Sequence, residues 1–272
     1  MSRVWLNGHL VEAHQARIDP ADRGFLLGDG AFETMRFEAG RIRRWPAHRS
    51  RLSAALDILQ IAQPDWLAIE DASRALADAN ALTAAILRLT ITRGPHGRGM
   101  DAVHGEAGTV LMTALARPDP PVSIRLEPVS APRRDPASQA TRFKPIGYGD
   151  ELHARRLARS AGADMALLHD GEGHPSCADC ANVMWIAGND LVAPGPEAGA
   201  LSGTTRAALL ERLSQAGLTL VPSAQLALER AEAVLVCNAV QGVVAVRAIG
   251  SHSYPVDHWA VTRLREIEAE LD

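Results

Sequence analysis

The sequence predicts an α+β protein in two lobes, on three observations. Short strand-like runs alternate with segments of helical apolar spacing, tight turns near the start set up hairpins, and a proline-rich stretch near the middle interrupts every periodicity. That stretch, RPDPPVS at 117–123, reads as a linker between a small N-terminal α/β lobe over 1–116 and a larger, β-rich lobe with helices over 124–272. At 272 residues, 47% hydrophobic and 22% charged, the chain has ample core-forming capacity and an ordinary globular composition.

Each element follows from local chemistry. SRVWLNGHLVEA reads as two strands about Asn7-Gly8, a strong hairpin signal, and AFETMRFEAGRIRRW repeats the arrangement about Ala39-Gly40. PAHRSRLSAALDIL opens with Pro46 and carries apolar residues at helical spacing, and DWLAIEDASRALADAN reads as a second helix. AAILRLTITRG and GTVLMTALA are strand-like. Beyond the linker, SIRLEPVSA reads as a strand, DELHARRLARSAGA as a helix ended by Gly162, and DMALLHD as a strand. NVMWIAG and DLVAPG form an expected hairpin, and GTTRAALLERLSQAG a helix with Gly217 past its end. AVLVCNAVQGVVAVRAIG supplies two more strands, and VDHWAVTRLREIEAEL a closing helix.

The net charge of −4, with no basic block, gives no attraction for nucleic acid or an anionic membrane. The N-terminus lacks a basic-then-apolar signal segment, and no apolar run reaches membrane-spanning length. Three cysteines, Cys177, Cys180 and Cys237, are too few for a disulfide scaffold, so a reducing cytoplasm is expected. Cys177 and Cys180 spell C-x-x-C after His174, yet a metal site needs a compact fourth ligand and a redox motif needs a thioredoxin-like context. Small buried cysteines are the better reading, and no metal is expected.

Of the 28 Lys and Arg residues, one is lysine, Lys144 in RFKPIGY. A cation kept only for its charge is replaceable by arginine. An imine-forming amine is not, because guanidinium stays protonated and is too delocalised to attack a carbonyl. Phe143, Pro145 and Ile146 give Lys144 an apolar, turn-like seat, and Tyr148 follows four residues on with a phenol hydroxyl. An imine-forming lysine points to pyridoxal phosphate, which also requires a phosphate site. LSGTTR places Gly203, Thr204 and Thr205 at a helix start, where backbone N–H groups and the helix dipole attract an anion, although capping alone also explains such residues.

These motifs together resemble the class IV, fold-type IV pyridoxal-phosphate enzymes, among them branched-chain and D-amino-acid aminotransferases and aminodeoxychorismate lyase. DRGFLLGDGAFETMR at 22–36 looks like the family's N-terminal motif, and HRSRL at 48–52 is similar to its H-x-x-R-L helix. FKPIGY matches its K-x-x-x-Y segment, and GADMALLHDGEGHPSCADCANVMW and GTTR follow in the family's order. The resemblance covers nearly the whole chain. It implies a two-lobed fold-type IV enzyme, with Lys144 as Schiff-base residue, Arg51 on the cofactor phosphate, Tyr148 beside the phenolic oxygen, and Gly203, Thr204 and Thr205 at the phosphate. It also implies a homodimer with sites near the subunit interface.

One departure is equally visible. The family places a glutamate opposite the pyridine nitrogen, and here that place is Cys177. A carboxylate would keep the nitrogen protonated through a charge-assisted bond, on the order of 1.5–3 kcal/mol. A neutral thiol is a weak partner. An offset of two would bring Asp179 there, at the expense of the spacing to Asn182.

For substrate class, ITRGPHGRGM at 91–100, NVMW and VCNAV are similar to segments of aminodeoxychorismate lyases, which assigns Arg98, Asn238 and Ala239 to substrate binding. The D-amino-acid enzymes pair arginine with a histidine two residues later, whereas Arg98 is followed by Gly99 and Met100. Transamination suffers from a weak electron sink, while elimination of pyruvate from aminodeoxychorismate gains an aromatic ring. The lyase is therefore the favoured reading, with Lys144 or Thr34 delivering a proton to the departing group. A D- or branched-chain aminotransferase is the alternative, and a catalytically idle cofactor- or ligand-binding homologue a further one.

Overall fold

The structure is a computed structural model and describes residues 2–95, 99–101 and 108–271. The chain divides into two compact units, Met1–Pro118 with Phe143–Gly147, and Asp119–Arg142 with Tyr148–Asp272. The segment bearing Lys144 thus returns to the first unit, a long-range association that no local pattern in the sequence announces.

In the first unit, β1 (Arg3–Leu6) and β2 (His9–Glu12) pair about Asn7 and Gly8, both at positive φ as their turn requires. A short helix α1 (Arg23–Leu27), absent from the sequence reading, is capped by the Asp22 side chain and precedes β3 (Gly30–Glu38) and β4 (Arg41–Ile42). Helices α2 (Trp45–Leu59) and α3 (Trp66–Ala79) follow, the first with Pro46 in its opening turn and the second capped by Asp65. Strands β5 (Ala84–Thr92) and β6 (Val110–Ala116) complete an antiparallel sheet ordered β2-β1-β6-β5-β3-β4. The helices cover one face. Ala31, Met35 and Phe37 of β3, Leu87 and Leu89 of β5, and Leu52, Leu56, Ile69 and Leu76 of the helices form one buried core. By strand alternation Phe32, Thr34 and Arg36 lie on the opposite face, where Thr34 is paired with Arg88.

In the second unit, β7 (Ser123–Arg134), α4 (Gln139–Arg142), α5 (Gly149–Ser160) and β8 (Met165–Asp170) lead to β9 (Pro175–Ala178). The four-residue β9 and the helix α4 are additions to the sequence reading. Strands β10 (Ala181–Ala187) and β11 (Asp190–Val192) form the expected hairpin. The helix expected to run to Gly217 stops early. Here α6 (Thr204–Glu211) ends at Arg212, and a 3-10 turn over Leu213–Ala216 carries the chain to Gly217 at φ 68°. Strands β12 (Thr219–Leu220), β13 (Ala233–Asn238), β14 (Gly242–Ile249) and β15 (His252–Ser253) precede the closing helix α7 (Trp259–Glu270).

The main sheet runs β12-β11-β10-β13-β14-β7-β8-β9, and β9 also pairs β10, so β10, β13, β14, β7, β8 and β9 close a circuit. One face of these strands packs Leu126, Leu167, Val183, Trp185, Val234 and Val246 together. The other carries two clusters. Met184, Ile186, Leu235 and Ala245 meet α6 and α7, while Ala166, Leu168 and Cys177 meet Ala154 and Ala158 of α5.

Candidate active site

Lys144 is held by backbone bonds to β3. The Phe32 N–H donates to the Lys144 carbonyl at 3.0 Å and the Ile146 N–H to the Gly30 carbonyl at 3.2 Å, with a bridge between Ala31 and Pro145. Phe143 anchors one end in the core. Glycine is required at position 30 chiefly by β5, since a Cβ there would lie 2.4 Å from the Ile91 carbonyl oxygen, and it would also meet Ile146 Cδ1 of the Lys144 segment at 2.6 Å. The Lys144 amine lies 4.3 Å from the centroid of the buried Phe32 ring, and the Arg88 guanidinium carbon lies 3.6 Å from it. Thr34 shares this face of the sheet, so the first unit brings Lys144, Thr34, Phe32 and Arg88 to one surface. Phe32 and Arg88 were not singled out from the sequence. Their signal was parity with Thr34 on paired strands.

Arg51 lies on the helix side of the same sheet. Its Nε and Nη2 donate to the two oxygens of Glu33, both at 2.7 Å, and His48 Nδ1 lies 2.8 Å from Glu33 Oε2. Glu33 and His48 are each 1% exposed and Arg51 15%. Burial pushes the Glu33 carboxyl upward, but the Arg51 charge and the bonds from His48 and Arg51 outweigh it and bring it down to about 2. Burial lowers the His48 pKa against the pull of Glu33, which favours neutral imidazole. An ionised carboxylate only accepts, so Nδ1 carries the histidine proton.

A second arginine network centres on Asp29, which receives Arg23 at 2.9 Å and Arg93 at 2.7 Å. Arg23 also donates to the carbonyls of Gly99 and Asp101, at 2.9 and 3.2 Å. Arg98 itself lies outside the described residues.

In the second unit, Tyr148 is the residue from which α5 starts. Cys177 of β9 lies opposite Asn182 of β10, and the Asn182 amide donates to the Leu201 carbonyl at 2.8 Å. Gly203 then caps α6 with no side-chain bond, and Thr204 and Thr205 follow, both buried. A Cβ on Gly203 would fall 1.9 Å from Asn182 Oδ1, so the helix start sits against the β9–β10 pair too closely for a side chain. Asn238 donates to the Cys180 carbonyl at 3.2 Å and receives the N–H groups of Val240 and Gln241 at 2.9 and 2.8 Å. These bonds order the turn that contains Ala239.

The thiol of Cys177 is buried, and burial pushes its pKa up against the nearby Arg134 charge, so it is a neutral group. Asp179 is committed elsewhere. It binds Arg155 through both oxygens and receives the Ala166 N–H at 2.8 Å. The expectation of three small buried cysteines is corrected at Cys180, which is exposed at the β9–β10 turn, while Cys177 and Cys237 are buried.

The chain belongs to the amino-transferase class IV family, whose sequence profile matches residues 30–249. It is similar to the aminodeoxychorismate lyase of Vibrio harveyi, with 26% identity covering 98% of this chain and 99% of that protein. It is also similar to the D-alanine aminotransferase of Listeria monocytogenes, at 25% identity covering 79% and 76%. Among solved structures, a T.th. branched-chain amino acid aminotransferase complexed with N-(5'-phosphopyridoxyl)-L-glutamate superposes with a TM-score of 0.86, at 22% identity, covering 99% of this chain and 93% of that one. The fold is accordingly that of the fold-type IV aminotransferases, and the protein is a pyridoxal-phosphate-dependent enzyme of this class.

The donor chemistry fits that cofactor: one primary amine among the side chains, a guanidinium fixed by a buried carboxylate, and a helix start with glycine at its cap. Cys177, for which the family resemblance expects a carboxylate, is a neutral thiol.

Proposed function

We propose that this enzyme is a 4-amino-4-deoxychorismate lyase, eliminating pyruvate to leave p-aminobenzoate. The observation that carries the reading is the buried, neutral thiol of Cys177, at the position that the family resemblance assigns to an acid. When bound, pyridoxal phosphate supplies an aldehyde for imine formation and a ring that accepts an electron pair. A thiol at the ring nitrogen would make that ring a weaker sink, which would penalise transamination more than an elimination that gains aromatic stabilisation. Likeness to the Vibrio harveyi lyase along nearly the whole of both chains supports the same choice.

In this reading the Lys144 amine would hold the cofactor through its aldehyde and would serve as the base for the proton on the amine-bearing carbon of the substrate. Lys144 or Thr34 returns a proton to the departing pyruvate unit. Arg51, Gly203, Thr204 and Thr205 would serve the phosphate, and Tyr148 would serve the phenolic oxygen. Arg98, Asn238 and Ala239 bind substrate. Phe25, Leu26 and Leu27 of α1 are 76%, 58% and 54% exposed, and such an apolar run is suited to burial against a second copy of the chain, which supports a homodimer. The buried, neutral thiol of Cys177 suits a reducing cytoplasm.

Likeness to the Listeria D-alanine aminotransferase favours a second reading, transamination of D- or branched-chain amino acids. Purified enzyme offered aminodeoxychorismate, and separately D- and L-amino acids with a keto acid, separates the two. Release of p-aminobenzoate and pyruvate is expected. Brisk transamination with no p-aminobenzoate refutes the lyase, and no turnover with either leaves the idle homologue.

A further inference from the structure

We propose that Glu33 and His48 are positioning residues that aim the Arg51 guanidinium at an anionic group. This rests on the reading above, in which that group is the cofactor phosphate.

Glu33 stands on the core-facing side of β3, between Ala31 and Met35, both fully buried. An ionised carboxylate there is poorly explained as a stabilising device, because a buried ion pair is seldom better than apolar packing of the same volume. The flanking positions of the same strand carry that apolar solution. What the carboxylate adds is direction. Its two oxygens grip the Nε–Nη2 edge of Arg51 at 2.7 Å each and fix the guanidinium plane, a geometry that one oxygen or a lysine could not impose. His48, three residues before Arg51 on α2, is on the same side of the helix and pins the carboxylate in turn through Nδ1–H to Oε2 at 2.8 Å. Its neutral form, favoured by burial, adds no second cation to the cluster. The order of support runs from His48 to Glu33 to Arg51, and only Arg51 is partly open, at 15% exposure.

Charge and positioning predict opposite signs. Removing the Glu33 charge leaves a net positive cluster, so charge alone would tighten binding of an anion. Positioning predicts weaker binding, because the amide of a Glu33→Gln variant turns an N–H donor toward the N–H donors of Arg51 and dislodges them.

The test is titration of apoenzyme with pyridoxal phosphate and, separately, with pyridoxal, followed by absorbance. For Glu33→Gln, pyridoxal phosphate affinity is expected to fall on the order of 10-fold or more while pyridoxal affinity holds, from the loss of a charge-assisted bond. His48→Asn, which keeps a donor near Nδ1, should retain most of the preference for the phosphorylated form. If Glu33→Gln does not fold, Glu33→Asp draws the carboxylate back by about 1.5 Å and should lower the same preference. Unchanged or tighter binding of pyridoxal phosphate, or equal loss for both ligands, overturns the inference. Arg51→Met separates the two layers. If it loses the preference and the Glu33 variants do not, the positioning inference fails alone. If Arg51→Met keeps the preference, the placement of the phosphate fails, and the inference with it.

Discussion

Replacing Gly30 by alanine probes how the Lys144 segment is held. The added methyl would meet the Ile91 carbonyl oxygen at 2.4 Å, Ile146 Cδ1 at 2.6 Å and Thr92 Cα at 2.9 Å. Ile91 and Thr92 belong to β5, whose pairing with β3 runs from Gly30 to Glu38. Moving the Ile146 side chain relieves only the 2.6 Å contact, whereas the contacts with Ile91 and Thr92 are relieved only if β3 and β5 part at Gly30, and the Lys144 segment bonded to β3 is displaced with that strand end. Moving the segment breaks the bond from the Ile146 N–H to the Gly30 carbonyl and weakens that from the Phe32 N–H to the Lys144 carbonyl. Overpacking costs about 1–3 kcal/mol and each lost hydrogen bond about 1 kcal/mol, so the local cost is roughly 2–4 kcal/mol. Hydrogen exchange read by mass spectrometry reports this locally, without requiring the two units to unfold together. Peptides over 30–37 and 143–147 should exchange roughly 30-fold faster or more, while β13 and β14 keep their protection. Unchanged exchange at 143–147 refutes the argument that the segment's position depends on the β3–β5 junction at Gly30.

Three other outcomes follow from the same geometry. Acid should weaken the first unit in two stages. His48, held below its ordinary 6.5, costs stability as pH falls below 6.5, and Glu33, held at about 2 against an ordinary 4.5, costs more between those values. Exchange in α2 measured against pH checks this, and His48→Asn should remove the first stage only. Cys177→Glu should raise the transamination half-reaction with D- or L-amino acids by about 10-fold or more, since a charge-assisted bond replaces a weak one; no change would mean that position 177 does not face the ring nitrogen. Gly203→Ala should displace Asn182 from the Leu201 carbonyl and cost about 1–3 kcal/mol, read as faster exchange at the start of α6, and unaltered exchange there would contradict it.

Much of this was readable in the chain because it is written locally. The Asn7-Gly8 turn, Pro46 and Gly162 are each sufficient signals at their positions, and a single lysine among so many arginines is a chemical statement needing no coordinates. Other features depend on distant pairing. Strand β9 has four residues and no periodicity of its own, and it exists through its bonds to β8 and β10. The return of Phe143–Gly147 to the first unit is likewise a contact between segments more than a hundred residues apart. Glu33 sat unremarked in the FETMR run, although the alternation of Ala31, Met35 and Phe37 marks position 33 as core-facing. An acid at such a position, with His48 and Arg51 one helical turn apart, was the available clue. The early end of α6 at Arg212 had no comparable sign, since Gly217 is a proper stop for the 3-10 turn that follows.

The central claim is that Lys144 is the imine-forming residue, and one measurement addresses it directly. Purified protein with added pyridoxal phosphate is scanned in the visible range before and after borohydride reduction, and its peptides are then mapped by mass. The account predicts an absorbance band that reduction removes, with a pyridoxyl group fixed on the peptide containing Lys144. A protein that shows no such band, or that carries the reduced cofactor at its N-terminal amine and not at Lys144, would contradict it.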